Sequence, residues 1–184
     1  NEESVRKARE VFAEAIAARP DDHHVLEAYA VFLQSLGDRA GAIREWRKVG
    51  ELLPHDFLPW YQIGSILAKQ GSHAEAQTNL RKALALRPGL IEGWNELGQS
   101  LGVSGAFLPA LAAFERASRL RPEDPVLWVY RAKMLGSLER RNEAIDCYRK
   151  AIELNPAYWE ARGALGDQYS QTGRVPEAIA EYEA

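Results

Sequence analysis

The residue types that could carry chemistry in this chain are few. Its four histidines are His23 and His24, which follow two aspartates, His55, which precedes Asp56, and the isolated His73. Imidazole and carboxylate groups are ligands of transition-metal sites. The two histidine–aspartate clusters lie far apart in the sequence, and residues of this kind are common on solvated turns. We therefore predict no metal site.

Other catalytic signatures are absent from the sequence. The single cysteine, Cys147, has no histidine near it in the sequence, and one cysteine excludes an intramolecular disulfide. The chain has no phosphate-binding glycine loop, no cysteine pairs at zinc-site spacing and no nucleophile elbow. We therefore predict that these residues form no enzyme and bind no cofactor. The lack of disulfides favours the cytoplasm and leaves the periplasm open.

Nucleic-acid and membrane binding are disfavoured by charge and by glycine content. The net charge is −3, and acidic neighbours offset the recurrent basic pairs Arg47-Lys48, Arg81-Lys82 and Arg149-Lys150. The stretch Leu97–Phe114 has 18 residues without a charge, which is long enough for a membrane-spanning segment. Three glycines and Pro109 interrupt that stretch, so we predict neither a membrane span nor a nucleic-acid track.

A repeat of 34 residues determines the secondary-structure elements that position any binding residue. Prolines recur at this spacing, with alanines twelve residues before them and large apolar residues eight residues before them. These three sets are Pro20, Pro54, Pro88, Pro122 and Pro156; Ala8, Ala42, Ala76, Ala110 and Ala144; and Phe12, Trp46, Leu80, Phe114 and Tyr148. A fixed period of this length is typical of a solenoid of helical hairpins.

Each period is predicted to contain two helices. In Trp60–Gln70, the apolar residues Ile63 and Leu67 recur at helical spacing, and Gly71 then ends the helix. A second apolar stripe follows and stops at Pro88, since proline cannot continue a helix. Gly64 stands in the middle of the first helix, where glycine costs about 1 kcal/mol relative to alanine.

We attribute that recurrent cost to close packing between the two helices. Gly98 and Gly166 share the phase of Gly64, and Ala30 and Ala132 fill the same position elsewhere. The expected partner of these glycines is the recurrent alanine of the second helix, such as Ala110. We therefore expect Ala110→Leu to overpack the crossing by about 1–3 kcal/mol.

These residues resemble the tetratricopeptide repeat family, whose nine-position motif they follow almost completely. The unit from Ile91 to Asp124 carries that motif as Trp94, Leu97, Gly98, Leu101, Gly105, Ala110, Phe114, Ala117 and Pro122. The chain departs from the motif at Leu26, Arg131, Glu139 and Arg162, and we expect none of these departures to prevent the fold. The resemblance implies an all-α, right-handed α-solenoid of stacked antiparallel helix pairs that binds proteins.

The predicted organisation is a single solenoid over residues 1–184. It comprises a half repeat at 2–22, full repeats at 23–56, 57–90, 91–124 and 125–158, and an incomplete repeat at 159–184. Both ends fall inside repeats, so we expect a fragment of a longer protein. Terminal helices without a polar cap could also let the chain associate with itself.

The resemblance places a peptide-binding groove on the first helices of the pairs. The predicted groove comprises Glu27, Val31, Leu58, Tyr61, Gln62, Ser65, Lys69, Glu92, Asn95, Gln99, Val126, Val129, Tyr130, Lys133 and Asp167. The adjoining positions His24, Gln34 and Glu160 face the same way. Phe107 and Leu108 replace the polar residues of other turns and are predicted as a rim contact or as packing onto the neighbouring repeat.

The groove residues narrow the partners that the resemblance allows. Family members that bind chaperone C-terminal Glu-Glu-Val-Asp tails use lysine, arginine and asparagine as a carboxylate clamp. Glu27, Glu92 and Glu96 stand at three of those positions here, and carboxylates repel an anionic tail. We therefore expect an interaction scaffold for an extended peptide or helix. The alternative is a substrate-recruiting or regulatory arm of a larger enzyme, such as a glycosyltransferase, or of a secretion or assembly complex.

Overall fold

The computed structural model describes residues 2–183, which form eleven α-helices and no strand. The helices are α1 (Glu2–Ala18), α2 (His23–Ser35), α3 (Arg39–Leu52), α4 (Leu58–Lys69), α5 (His73–Leu86), α6 (Ile91–Val103), α7 (Phe107–Leu120), α8 (Pro125–Ser137), α9 (Arg141–Leu154), α10 (Trp159–Gln171) and α11 (Val175–Glu183). The predicted all-α class of antiparallel helix pairs is confirmed.

The turn inside each pair is made by one residue in the left-handed region. Glycine occupies this position in four pairs, at Gly37, Gly71, Gly105 and Gly173, with φ between 75° and 83°. Glu139 occupies it in the α8–α9 turn, with φ 60°. The turn lets the next backbone N–H bond back to the helix, as Arg140 N does to Leu135 O at 2.9 Å.

The chain divides after Pro88 into two compact units. In unit 1, α1 contacts α2 through Phe12, whose ring lies 4.9 Å from Tyr29 and 5.4 Å from Phe32. Helices α2 to α5 pack in sequence around one apolar core. That core consists of Leu26, Ala30, Leu33, Ala42, Trp46, Val49, Ile63, Ile66, Leu67 and Ala76.

Unit 2 is built in the same way from helices α6 to α11. Its main cluster consists of Leu111, Val129, Ala132, Leu135, Ala144, Ile145, Cys147, Tyr148, Ala151, Ala161, Leu165, Tyr169 and Ala178. The assignment of all the repeats to one continuous domain stays a prediction. Asn1 and Ala184, which that domain includes, lie outside the described residues.

The mid-helix glycines do allow the second helix to pack closely, but the predicted partner residue, the recurrent alanine, was wrong. A Cβ built on Gly98 would lie 2.8 Å from the ring of Phe114, and one on Gly64 would lie 2.7 Å from Leu80 Cγ. The nearest atoms therefore belong to the large apolar residue of the second helix, not to its alanine. The glycine of the first helix makes room for the bulky side chain of the second helix. The two residues therefore recur together, at the same spacing, from repeat to repeat.

Arg162 replaces a motif tryptophan and also takes over its hydrogen bond. Trp128 Nε1 donates to the carbonyl of Pro122 at 2.8 Å, six residues earlier. Arg162 Nε donates to the carbonyl of Pro156, also six residues earlier, at 3.2 Å. The guanidinium thus satisfies the same backbone acceptor in its own repeat.

The uncharged stretch Leu97–Phe114 does not form one helix. It is divided between α6 and α7 by the turn at Gly105. Within residues 2–183, none of the helices combines the length and the apolar character that crossing a bilayer requires.

Candidate functional site

The predicted groove residues of unit 1 lie on α2 and α4. Val31 and Lys69 are exposed, and Ser65 is buried with 6% of its surface accessible. The others are half-buried, namely Glu27, Leu58, Tyr61 and Gln62. Helices α2 and α4 thus offer a mixed surface of apolar, aromatic and amide groups, while Ser65 contributes little to it.

A chain of hydrogen bonds connects the core of unit 1 to this surface. The indole N–H of Trp46, on α3, donates to Gln34 Oε1 at 3.3 Å. Gln34 Nε2 then donates to Gln62 Oε1 at 3.4 Å. Trp46 itself is 2% exposed. The sequence identified Trp46 only as a core residue, and its polar role depends on a contact that repeat phase does not reveal.

The predicted groove residues of unit 2 lie on α6, α8 and α10. Val129 is buried with 3% of its surface accessible, so it contributes to the core more than to the surface. Asn95 and Tyr130 are half-buried, and the rest are exposed, namely Glu92, Gln99, Val126, Lys133 and Asp167. The surface is again mixed in character.

Tyr130 is the main aromatic side chain of this surface. Its ring stacks on Phe114 with centroids 5.0 Å apart and planes 10° apart, and Lys133 Nζ lies 5.7 Å from the Tyr130 centroid. Burial raises the pKa of nearby Tyr158, with smaller contributions from Glu160 and Tyr130. Tyr130 is therefore held in place by packing while part of its ring remains accessible.

Internal contacts occupy two of the predicted groove carboxylates. Tyr182 donates to Asp167 Oδ1 at 2.7 Å, and this hydrogen bond raises the pKa of the Tyr182 hydroxyl. Glu92 Oε1 accepts from Arg121 Nη2 at 3.2 Å. The Arg121 guanidinium offsets the charge of Glu92, whereas the Asp167 carboxylate keeps its charge and is held by a neutral donor.

The α6–α7 turn exposes apolar side chains. Leu108 is 63% exposed, whereas Phe107 is half-buried. Val103, at the end of α6, is 70% exposed and was not identified from the sequence. The role of Phe107 and Leu108 as a rim contact stays a prediction.

The residues considered for chemistry do not converge. Cys147 is buried, and burial raises the pKa of its thiol, which disfavours the reactive thiolate. Across the described part of the chain, no three histidine, cysteine, aspartate or glutamate side chains form a group that could hold a metal ion. Arg149 donates to the Tyr169 hydroxyl at 2.8 Å, so one of the recurrent basic residues is used internally.

Comparison with family models decides the class of these helix pairs. Models described as "Tetratricopeptide repeat" match residues 59–89, 125–158 and 147–180. The chain is a tetratricopeptide repeat protein. A comparison with curated proteins gave no significant match.

Solved structures of tetratricopeptide repeat proteins share this fold. The protein in "Crystal structure of MamA" shares 23% sequence identity with this chain, and the two structures superpose with a TM-score of 0.81. The alignment covers 84% of this chain and 90% of that one. "MamA 41-end from Desulfovibrio magneticus RS-1" is 21% identical with a TM-score of 0.83, covering 88% and 91%. "Crystal structure of YrrB: a TPR protein with an unusual peptide-binding site" is 21% identical with a TM-score of 0.82, covering 92% and 88%. At these identities the likeness establishes the fold alone.

Proposed function

We propose that this tetratricopeptide repeat chain is a protein-interaction scaffold that binds an extended peptide along the first helices of its pairs. One observation carries the proposal. Tyr61 on α4 and Tyr130 on α8 stay half-buried on the first helices, and neither belongs to the main apolar clusters of the two units. Accessible tyrosines combine large contact area with few rotatable bonds, which suits recognition.

The relatives support this choice of ligand class only by analogy. YrrB, which shares the fold, is a tetratricopeptide repeat protein with a peptide-binding site of its own. Extended peptides suit such a surface because their backbone groups need hydrogen-bonding partners, and amide side chains such as Gln62 and Asn95 can supply them. We infer no catalytic role for the residues described.

The test measures peptide binding to tyrosine variants. Short random peptides displayed on phage are selected on the wild-type chain, and the selected peptides are measured by calorimetry against Tyr61→Ala and Tyr130→Ala. We expect each substitution to weaken some of the selected peptides by about tenfold or more, as for aromatic contacts at binding sites.

The matched control is Val11→Ala, which truncates a 64% exposed apolar side chain on α1, outside the predicted groove. Circular dichroism and the melting temperature confirm that every variant stays folded. The proposal is wrong if all selected peptides bind the two tyrosine variants as tightly as the wild type.

A further inference from the structure

The hydrogen bonds from Trp46 through Gln34 to Gln62 have a fixed direction. An indole N–H can only donate, because its nitrogen has no available lone pair. Gln34 must therefore turn its carbonyl oxygen toward Trp46, which lies 3.3 Å away. The Gln34 amino group is then left to donate to Gln62 Oε1, at 3.4 Å. The orientation of both amides follows from the chemistry of one buried ring.

The chain of hydrogen bonds ends in an available donor. The carbonyl oxygen of Gln62 is occupied by Gln34. Its Nε2 group makes no hydrogen bond to any residue in the described range, and Gln62 is only half-buried. Gln62 therefore has both N–H groups available to a ligand on α4, while one of the two lone pairs of its carbonyl oxygen is already used by Gln34.

We propose that Trp46 is a positioning residue that makes Gln62 a hydrogen-bond donor to a main-chain carbonyl of a peptide bound to unit 1. This inference rests on the proposed function and specifies which atoms recognise the peptide. A main-chain carbonyl suits this donor because every residue of an extended peptide carries one, whatever its side chain. Recognition of this kind favours an extended backbone over a particular charge.

Without the indole N–H, the two amides lose their fixed direction. Gln34 could then rotate and accept from Gln62, which would turn the Gln62 carbonyl outward. The outward group would oppose a peptide carbonyl instead of binding it, since two acceptors cannot pair. Trp46 is 2% exposed and cannot itself contact a ligand, so it acts on binding indirectly, and its hydrogen bond to Gln34 is the route that we propose.

The experiment compares Trp46→Phe with Trp60→Phe. Both substitutions keep a ring and remove an indole N–H, but Trp60 Nε1 is buried without a hydrogen-bond partner among residues 2–183. The probes are phage-selected peptides whose binding to the full chain depends on Tyr61. We expect Trp46→Phe to weaken them about threefold to tenfold, the range for one hydrogen bond, and Trp60→Phe to leave affinity unchanged.

Two further variants test the donor itself. Gln62→Glu keeps the shape and still accepts from Gln34 but has no N–H group, and we expect it to weaken the peptides about tenfold. In the double variant Trp46→Phe with Gln62→Leu, the first change should add no further loss, because its effect passes through Gln62. In the unliganded protein, Gln34→Leu should shift the NMR signal of the Trp46 indole proton.

The outcomes separate this inference from the function on which it rests. If no selected peptide depends on Tyr61, peptide binding to unit 1 is refuted and the inference with it. If a Tyr61-dependent peptide binds the Gln62→Glu variant as tightly as the wild type, only the inference about Gln62 is overturned. Equal effects of Trp46→Phe and Trp60→Phe on peptide affinity would also overturn the inference. So would a Trp46 indole NMR signal that does not shift in Gln34→Leu.

Discussion

Gly98→Ala should destabilise the protein, although alanine is the better helix former. A Cβ at Gly98 would lie within 2.9 Å of three ring atoms of Phe114. Phe114 is fully buried and stacks on Tyr130, so its ring has little room to move. Overpacking costs about 1–3 kcal/mol, and the change to alanine returns about 1 kcal/mol of helix propensity. With three ring atoms too close, we expect a net loss of about 1–2 kcal/mol.

Gly163→Ala is the matched control in the same unit. Gly163 also lies inside a helix, α10, but a Cβ added there would have no atom within 4 Å apart from its chain neighbours and the backbone of its own helix. Only the propensity gain remains at this position, so we expect a stabilisation of about 0.5–1 kcal/mol. Gly166→Ala should fall between the two, because its Cβ would meet Tyr182, which is 54% exposed and can swing outward.

The assay is thermal unfolding followed by circular dichroism. For a chain of this size, about 1 kcal/mol shifts the melting temperature by about 2–4 °C. Gly98→Ala should therefore lower the midpoint by about 2–8 °C, while Gly163→Ala raises it by about 1–4 °C. A midpoint for Gly98→Ala that rises as much as that for Gly163→Ala would refute the assignment of Phe114 as the limiting contact.

Buried or strained positions give three more expected outcomes. Ala110→Leu enlarges a side chain with no accessible surface and should destabilise by about 1–3 kcal/mol in urea unfolding; an unchanged midpoint would contradict it. Glu139→Gly should stabilise by up to about 1 kcal/mol, because glycine adopts φ 60° without strain, whereas a lower melting temperature would argue against strain. Burial raises the pKa of Tyr148 to about 12. The neutral Tyr148 hydroxyl therefore stabilises the fold fully below the ordinary tyrosine pKa near 10, and this stabilisation is lost as the pH rises through 12. Spectrophotometric titration of the folded protein measures the tyrosine pKa values. Ionisation of all tyrosines near pH 10 would exclude a raised pKa for Tyr148.

The helices were predictable because their signals are local and repeated. Gly71 follows an apolar stripe at helical spacing and takes the positive φ that such a helix end requires. Proline at Pro88 and Pro122 marks the end of the second helix for an equally local reason. Glu139 shows that the turn is imposed by the whole repeat, since a residue that disfavours this geometry still adopts it.

Side-chain partners were less predictable because one helix face meets several residues at once. Repeat phase placed Gly98 against α7 but could not distinguish Ala110 from Phe114 as the nearest neighbour. It placed Ser65 and Val129 in the predicted groove, although both are buried by side chains whose size the repeat position does not specify. The contact between Trp46 and Gln34 depends on rotamers, which sequence spacing does not encode.

The packing of Trp60 ties its repeat to the glycine of the repeat before it. A Cβ on Gly50 would lie 2.7 Å from Trp60 Cζ2, so this tryptophan needs a glycine in the preceding helix. The same position in later repeats holds Leu84, Ser118 and Ile152, and Trp94 and Trp128 follow the first two of these. A tryptophan can therefore follow a larger side chain, but not in the orientation that Trp60 adopts against Gly50. The fit between residues 50 and 60 thus belongs to one boundary, and designers who move residues 57–90 behind another repeat must let this indole reorient or carry Gly50 with it.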